Sequence, residues 1–160
     1  MADESITPDL GGFWRRLVDA MNAGDADAVM DFYAPDAVDD LPESFGTLEG
    51  RAAIRAFFED WLGSYDEFRV ELEARRDLGN GVTFGVVVVR GRLRDSTGWL
   101  QFRFGSVYTV VDGLIERTTS YADIDEARAH AERLAQERGG RRCPSRMSRS
   151  CARHLRLLIL

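Results

Sequence analysis

The hydrophobic repeat of this chain changes period once, close to residue 64, and that change limits the folds open to it. Before it, apolar residues recur every three or four positions; after it, they alternate or run on unbroken. Helices gathered ahead of long strands call for an α+β architecture, with a curved antiparallel sheet wrapped around the N-terminal helices.

In residues 10–23, Phe13, Trp14, Leu17, Val18 and Met21 share one helical stripe, and Gly24 stands where a helix ends. Asp25 is expected to cap a second helix over ADAVMDFYA, with Val29, Phe32 and Tyr33 on its apolar side and Pro35 closing it. Residues 36–42 read as a short extended segment in which Val38 and Asp40 lie on one side. A loop with Gly46 and Gly50 leads to a third helix, striped by Ile54, Phe57, Phe58, Trp61 and Leu62 and ended by Gly63.

Beyond it, Val70, Leu72 and Ala74 alternate with Arg69, Glu71, Glu73 and Arg75, as in a half-buried strand. Asn80-Gly81 is a hairpin signal leading into VTFGVVVVRG, whose unbroken apolar run implies a strand covered on both faces. The strand WLQFRFGSVYTVV puts Leu100, Phe102, Phe104, Ser106 and Tyr108 on one face. Asp112-Gly113 turns it into LIERTTSYAD, and residues 126–138 read as a charge-rich helix with Ala127, Ala131 and Leu134 apolar.

With 160 residues, 44% hydrophobic, there is room for one domain with a real core. No run approaches the roughly 20 apolar residues of a membrane span, and the segment Met1–Thr7 has Asp3 and Glu4 in place of a basic flank. A cytoplasmic protein without membrane attachment is expected. All 21 basic residues are Arg, and six follow residue 140, leaving 15 against 27 acids before it, a net of −12. So acidic a body does not suit nucleic acid. Cys143 and Cys151 lie in the tail, so the body has no disulfide or thiolate ligand, as suits a reducing compartment. The expected division is a domain over 1–138 and a basic, disordered tail over 139–160. The alternative for the tail is a basic segment with an apolar end that touches a membrane or an acidic partner.

Several motifs resemble one family. Asn22-Ala23-Gly24-Asp25, then residues 32–38 (FYAPDAV), then residues 49–58 (EGRAAIRAFF) and the Asp112-Gly113-Leu114-Ile115 hairpin are similar to SnoaL-like and ketosteroid isomerase-like proteins of the nuclear transport factor 2-like superfamily. The resemblance covers roughly residues 10–135. It implies a cone-like, cystatin-like α+β barrel enclosing a pocket between the first helices and the concave side of the sheet, and a homodimer through the outer sheet face. The scaffold hosts isomerases, cyclases, hydrolases, dehydratases and non-enzymatic modules, so the resemblance is far more specific for fold than for activity.

Within that pattern Asp40 matches the general base. A carboxylate facing an apolar cavity loses hydration, its pKa rises, and it can carry a proton between substrate atoms. The isomerase's oxyanion donors, a Tyr and a protonated acid, are replaced at the matching positions by Leu17 and Ser106, so steroid isomerisation is not expected. The Asp-Arg-Asp set of limonene epoxide hydrolase is also missing, because Arg103 has the opposite parity to Phe102 and Phe104. His130 and His154 read as surface residues, and no metal or cofactor is expected.

The remaining expectation is a pocket lined by Trp14, Leu17, Tyr33, Phe58, Trp61, Phe102 and Phe104, with Ser106, Thr118 and Ser120 as sparse polar groups. Such a lining suits a small hydrophobic, polyketide- or steroid-like molecule. The function expected is a cofactor-independent isomerase or cyclase with Asp40 as base; the alternative is a non-catalytic ligand-binding or dimerisation module. A nuclear-transport or adaptor role is the least favoured.

Overall fold

A computed structural model describes residues 10–42 and 45–140. The expected tail beyond residue 140, with Cys143, Cys151 and His154, lies outside the described residues.

The chain runs α1 (Leu10–Asn22), α2 (Ala26–Met30), β1 (Tyr33–Asp40), β2 (Thr47–Glu49), α3 (Arg51–Gly63), β3 (Tyr65–Gly79), β4 (Val82–Leu93), β5 (Trp99–Val111), β6 (Leu114–Tyr121) and α4 (Ile124–Gly140). One six-stranded sheet has the order β2-β1-β6-β5-β4-β3. This is the expected α+β cone, with a difference in strand direction: β1 pairs with β6 in parallel, so the curved sheet is mixed. Strands β3 to β6 form the expected antiparallel meander. Its tight turns are Asn80-Gly81 and Asp112-Gly113, all four residues having positive φ as a two-residue hairpin of this twist requires.

Two local readings are corrected. The second helix stops at Met30, and Phe32 and Tyr33 leave it because the Ile115 amide donates to the Phe32 carbonyl at 2.7 Å, drawing the chain onto the end of β6. Pro35 is therefore inside β1. It is tolerated because the register with β6 is broken between Tyr33 and Val38, where no ladder N–H is needed. The loop between Gly46 and Gly50 holds β2, which pairs Thr47, Leu48 and Glu49 with Asp40, Asp39 and Val38.

The sheet is covered on both sides, as the unbroken run in β4 requires. On the concave side α1 buries Phe13, Trp14 and Leu17, together with Val87, Val89 and Tyr108 of the sheet. The Asn22 side chain mimics a strand neighbour at the free edge of β3, accepting from the Val70 amide at 2.7 Å and donating to its carbonyl at 2.9 Å. On the convex side α4 lays Ala127, Ala131 and Ala135 over Val82, Phe84, Val86 and Val107. Close approach depends on Gly105, where a Cβ would stand 2.5 Å from that of Ala127. No helix among the described residues is long and apolar enough to cross a membrane.

Candidate functional site

The concave side of the sheet and helices α2 and α3 leave a cavity of about 670 Å³. Its position follows from strand parity. Phe102, Phe104, Ser106 and Tyr108 alternate inward along β5, and Thr118 and Ser120 of β6 lie opposite Tyr108 and Ser106. Helix α3 contributes Ile54, Phe57, Phe58 and Trp61, and β1 contributes Tyr33 and Asp39. Phe45 and Phe102 also line the cavity while 73% and 38% exposed, which places them on its open side.

Eight of the ten expected ligand-binding residues line this one cavity: Tyr33, Phe58, Trp61, Phe102, Phe104, Ser106, Thr118 and Ser120. Trp14 and Leu17 do not. Each is 1% exposed within the core. Trp14 packs against Tyr108 with ring centroids 4.6 Å apart and donates from Nε1 to Thr83 Oγ1 at 2.7 Å. Both residues are on the helical stripe, but the stripe is spent on the sheet.

The expected base is also misplaced by parity. Val38 and Asp40 do share a side of β1, but it is the outer one: they pair with Arg117 and Thr119, whereas Asp39 pairs with inward-facing Thr118. Asp40 Oδ2 accepts from Arg117 Nε at 2.7 Å and from Thr119 Oγ1 at 3.4 Å, and its Oδ1 accepts from Thr47 Oγ1 at 3.0 Å. Burial pushes its carboxyl up, but the bonds from Arg117 and Thr47 and the Arg117 charge outweigh this and hold it below the usual range. Asp40 is an ionised, fully engaged group outside the cavity.

Asp39 is the carboxylate that lines it. Burial first, and the negative Asp40 second, push its pKa up to about 7. Its Oδ1 is buried with no hydrogen-bond partner, and so is Oγ1 of Thr118, its cross-strand neighbour. Two phenols flank this pair electrostatically. Burial, then Tyr108 and Asp39, drive the Tyr33 hydroxyl well above the ordinary tyrosine value, with nearby Thr118 opposing in part. Burial and Asp39 likewise push Tyr108 up, against Ser106. Both phenols stay protonated and able to donate. Ser106 and Ser120 hydroxyls pair at 3.1 Å.

The site thus combines a carboxyl that exists in both protonation states near neutral pH with two persistent donors, inside apolar walls. Among the described residues no group of His, Cys, Asp and Glu is placed to hold a metal ion. Arg103 borders the cavity, but it lies between inward Phe102 and Phe104, as its parity predicts, and its guanidinium is ion-paired with Glu73. Sequence reasoning missed Asp39 as the inward acid and Tyr108 as a donor. The available signal was the inward series Ala37, Asp39, Leu41, whose flanking residues are apolar, against Asp36, Val38, Asp40.

Residues 14–118 match the family model of the SnoaL-like domain. No curated protein matches the sequence. Among solved structures, a proposed polyketide cyclase from Xanthomonas campestris pv. campestris is similar at 26% identity and a TM-score of 0.60, over 76% of this chain and 95% of that one. A protein with a ketosteroid isomerase-like fold from Catenulispora acidiphila, solved with trimethylamine, is 14% identical at a TM-score of 0.62, over 78% and 93% of the two chains. A proposed hydroxylase from Streptomyces galilaeus is 13% identical at 0.60, over 69% and 75%. The last two likenesses concern the fold alone.

Proposed function

The chain belongs to the SnoaL-like family, and from that premise we propose that it is a cofactor-independent acid–base catalyst, an isomerase or cyclase, with Asp39 as its proton carrier. One observation carries this reading: a carboxyl with an unpartnered oxygen, pKa about 7, stands in an apolar cavity beside two protonated phenols. Ionised Asp39 takes a proton from a carbon next to a substrate carbonyl, and the bonding pair moves onto the carbonyl oxygen. Tyr33 and Tyr108 donate hydrogen bonds to that oxygen as its charge develops. The proton then returns from Asp39 to another carbon, which isomerises the substrate, or to an oxygen formed when the enolate closes a ring on a second carbonyl. A pKa near working pH serves both halves of the cycle.

The substrate in this reading is neutral, flat and hydrophobic. The walls are Phe57, Phe58, Trp61, Phe102 and Phe104, and a polyketide-like compound is the class favoured by the similarity to the Xanthomonas protein. The homodimer through the sheet belongs to the same proposal. Helix α4 occupies the outer face of β4 to β6, which leaves the outward strip bearing Arg69, Glu71, Arg90 and Gln101 for a second copy. Light scattering at micromolar protein reads that directly.

The catalytic reading is tested with 2-tetralone, a flat ketone with acidic α-protons, by following deuterium exchange in heavy water by NMR. Exchange above background, rising with pH through about 7 and lost in Asp39→Asn, is the expected result. Exchange that persists undiminished in Asp39→Asn overturns the assignment. Binding without exchange puts the non-catalytic ligand-binding module in its place.

A further inference from the structure

We propose that the Asp40–Arg117 ion pair on the convex face of the sheet is a positioning pair for the Asp39 carboxyl on the concave face. This rests on the reading of Asp39 as the reactive group of the cavity.

Strand β1 enters the sheet through the Ile115 amide on the Phe32 carbonyl and is held midway by Arg51 Nε on the Tyr33 carbonyl and the Gly50 amide on the Ala37 carbonyl. Its register with β6 shifts between Tyr33 and Val38, and β2 pairs with its last three residues. At that end Asp40 gathers donors from both neighbouring strands, Thr47 of β2 and Arg117 and Thr119 of β6. Successive side chains of a strand point to opposite faces, so anchoring Asp40 outward obliges Asp39 to point inward. A slip of one residue would turn Asp40 into the cavity and Asp39 out to the convex face, so that the inward carboxyl lost its present surroundings. The side-chain bonds of Asp40 to both neighbours reinforce the register in which β2 and β6 pair with this end of β1 after the shift.

The pair also sets the field in which Asp39 titrates. On its own strand Asp39 feels the charge of Asp40, which is ion-paired with Arg117, and adjoins the phenol of Tyr33; β5 contributes the phenol of Tyr108. Helix α4 brings His130 near Asp40 and Arg117, with Arg133 and Glu137 beside it. Burial and then the Arg133 charge lower the His130 pKa, and Tyr121 Oη lies 3.0 Å from its Nδ1. Glu49 stands opposite Val38 on β2, and Asp60 and Arg103 line the cavity, Arg103 bound to Glu73. The phenols stay neutral near pH 7, which leaves Asp40 as the charge acting on Asp39, and its ion pair with Arg117 as the balance that mutation can upset.

The test reads the Asp39 carboxyl carbon by NMR titration of the full chain, without any substrate, so a failed exchange assay does not affect it. Asp40→Asn keeps the shape but removes the negative charge and frees the cation, so the Asp39 midpoint falls by about one pH unit. Arg117→Gln leaves Asp40 uncompensated, and the midpoint rises by a comparable amount. Arg117→Lys keeps the charge and returns it toward the wild-type value. Midpoints that stay at the wild-type value, or that move the same way in Asp40→Asn and Arg117→Gln, overturn the proposal. Should Arg117→Gln fail to fold, the isosteric Asp40→Asn decides alone: a fall supports the pair, and an unchanged or raised midpoint refutes it.

Discussion

Asp39 and Asp40 are adjacent in the chain, yet their carboxyls serve opposite faces of one sheet. Asp40 Oδ2 lies 2.7 Å from Arg117 Nε on the convex side, whereas Asp39 Oδ1 is buried on the cavity side without a partner. An ionised carboxylate is cheap in the first setting and costly in the second. The difference between the two settings is the chemistry that the cavity offers.

That cost makes stability depend on pH. The Asp39 pKa is raised from 3.8 to about 7 on folding, so between those values the native state holds more protons than the unfolded chain. Its contribution to stability therefore falls as pH rises from about 4 to about 7 and stays low above that. At about 1.4 kcal/mol per pKa unit the penalty is at most on the order of 4 kcal/mol. Asp39→Asn should be more stable than wild type at pH 8.5 and gain much less at pH 4.5, as read by urea unfolding at both.

Removing a donor should cost rate more than affinity. Tyr33→Phe and Tyr108→Phe keep the ring packing and delete the hydroxyl, so each should slow 2-tetralone exchange by about a hundredfold with a small change in Kd. Equal losses in binding and rate would instead mark these hydroxyls as ground-state anchors.

Trp14 belongs to the core and not to the ligand. Its Nε1 bonds to Thr83 Oγ1, which in turn donates to Asp77 Oδ1 at 2.7 Å. Trp14→Phe should lower stability by about 1–2 kcal/mol through the lost bond and packing, and leave the affinity for an apolar ligand unchanged. Chemical denaturation and a fluorescence titration separate the two effects.

Beneath the same indole, Gly85 has no room for a side chain: a Cβ there would stand 2.4 Å from the Trp14 ring. Gly85→Ala should destabilise by about 1–3 kcal/mol. At Gly63, in the last turn of α3, a Cβ meets nothing within 4 Å, and Gly63→Ala should stabilise by about 0.4–1 kcal/mol. Paired melting curves check both signs.

Features set by local chemistry were readable in the sequence. Asn80-Gly81 and Asp112-Gly113 demanded tight hairpins, and the continuous Val82–Val89 run demanded cover on both faces, which α1 and α4 provide. Features set by distant partners were not. Val29, Phe32 and Tyr33 keep helical spacing, yet the chain leaves the helix because the Phe32 carbonyl meets the Ile115 amide. The three-residue β2 is too short to show a period. Which of two adjacent acids faces the cavity depends on pairing with Thr118 and Thr119, nearly 80 positions away, so the pattern could nominate the acidic pair without choosing within it.

The most direct measurement is the titration of the Asp39 carboxyl carbon in the full-length protein, alone and with 2-naphthol, an apolar phenol that can donate to Oδ1. The expected result is an Asp39 midpoint near pH 7 that shifts when the phenol binds, while Asp40 titrates below the usual carboxylate range. An Asp39 midpoint near 4 that ignores the ligand would contradict it, because the cavity would then hold an ordinary solvated acid.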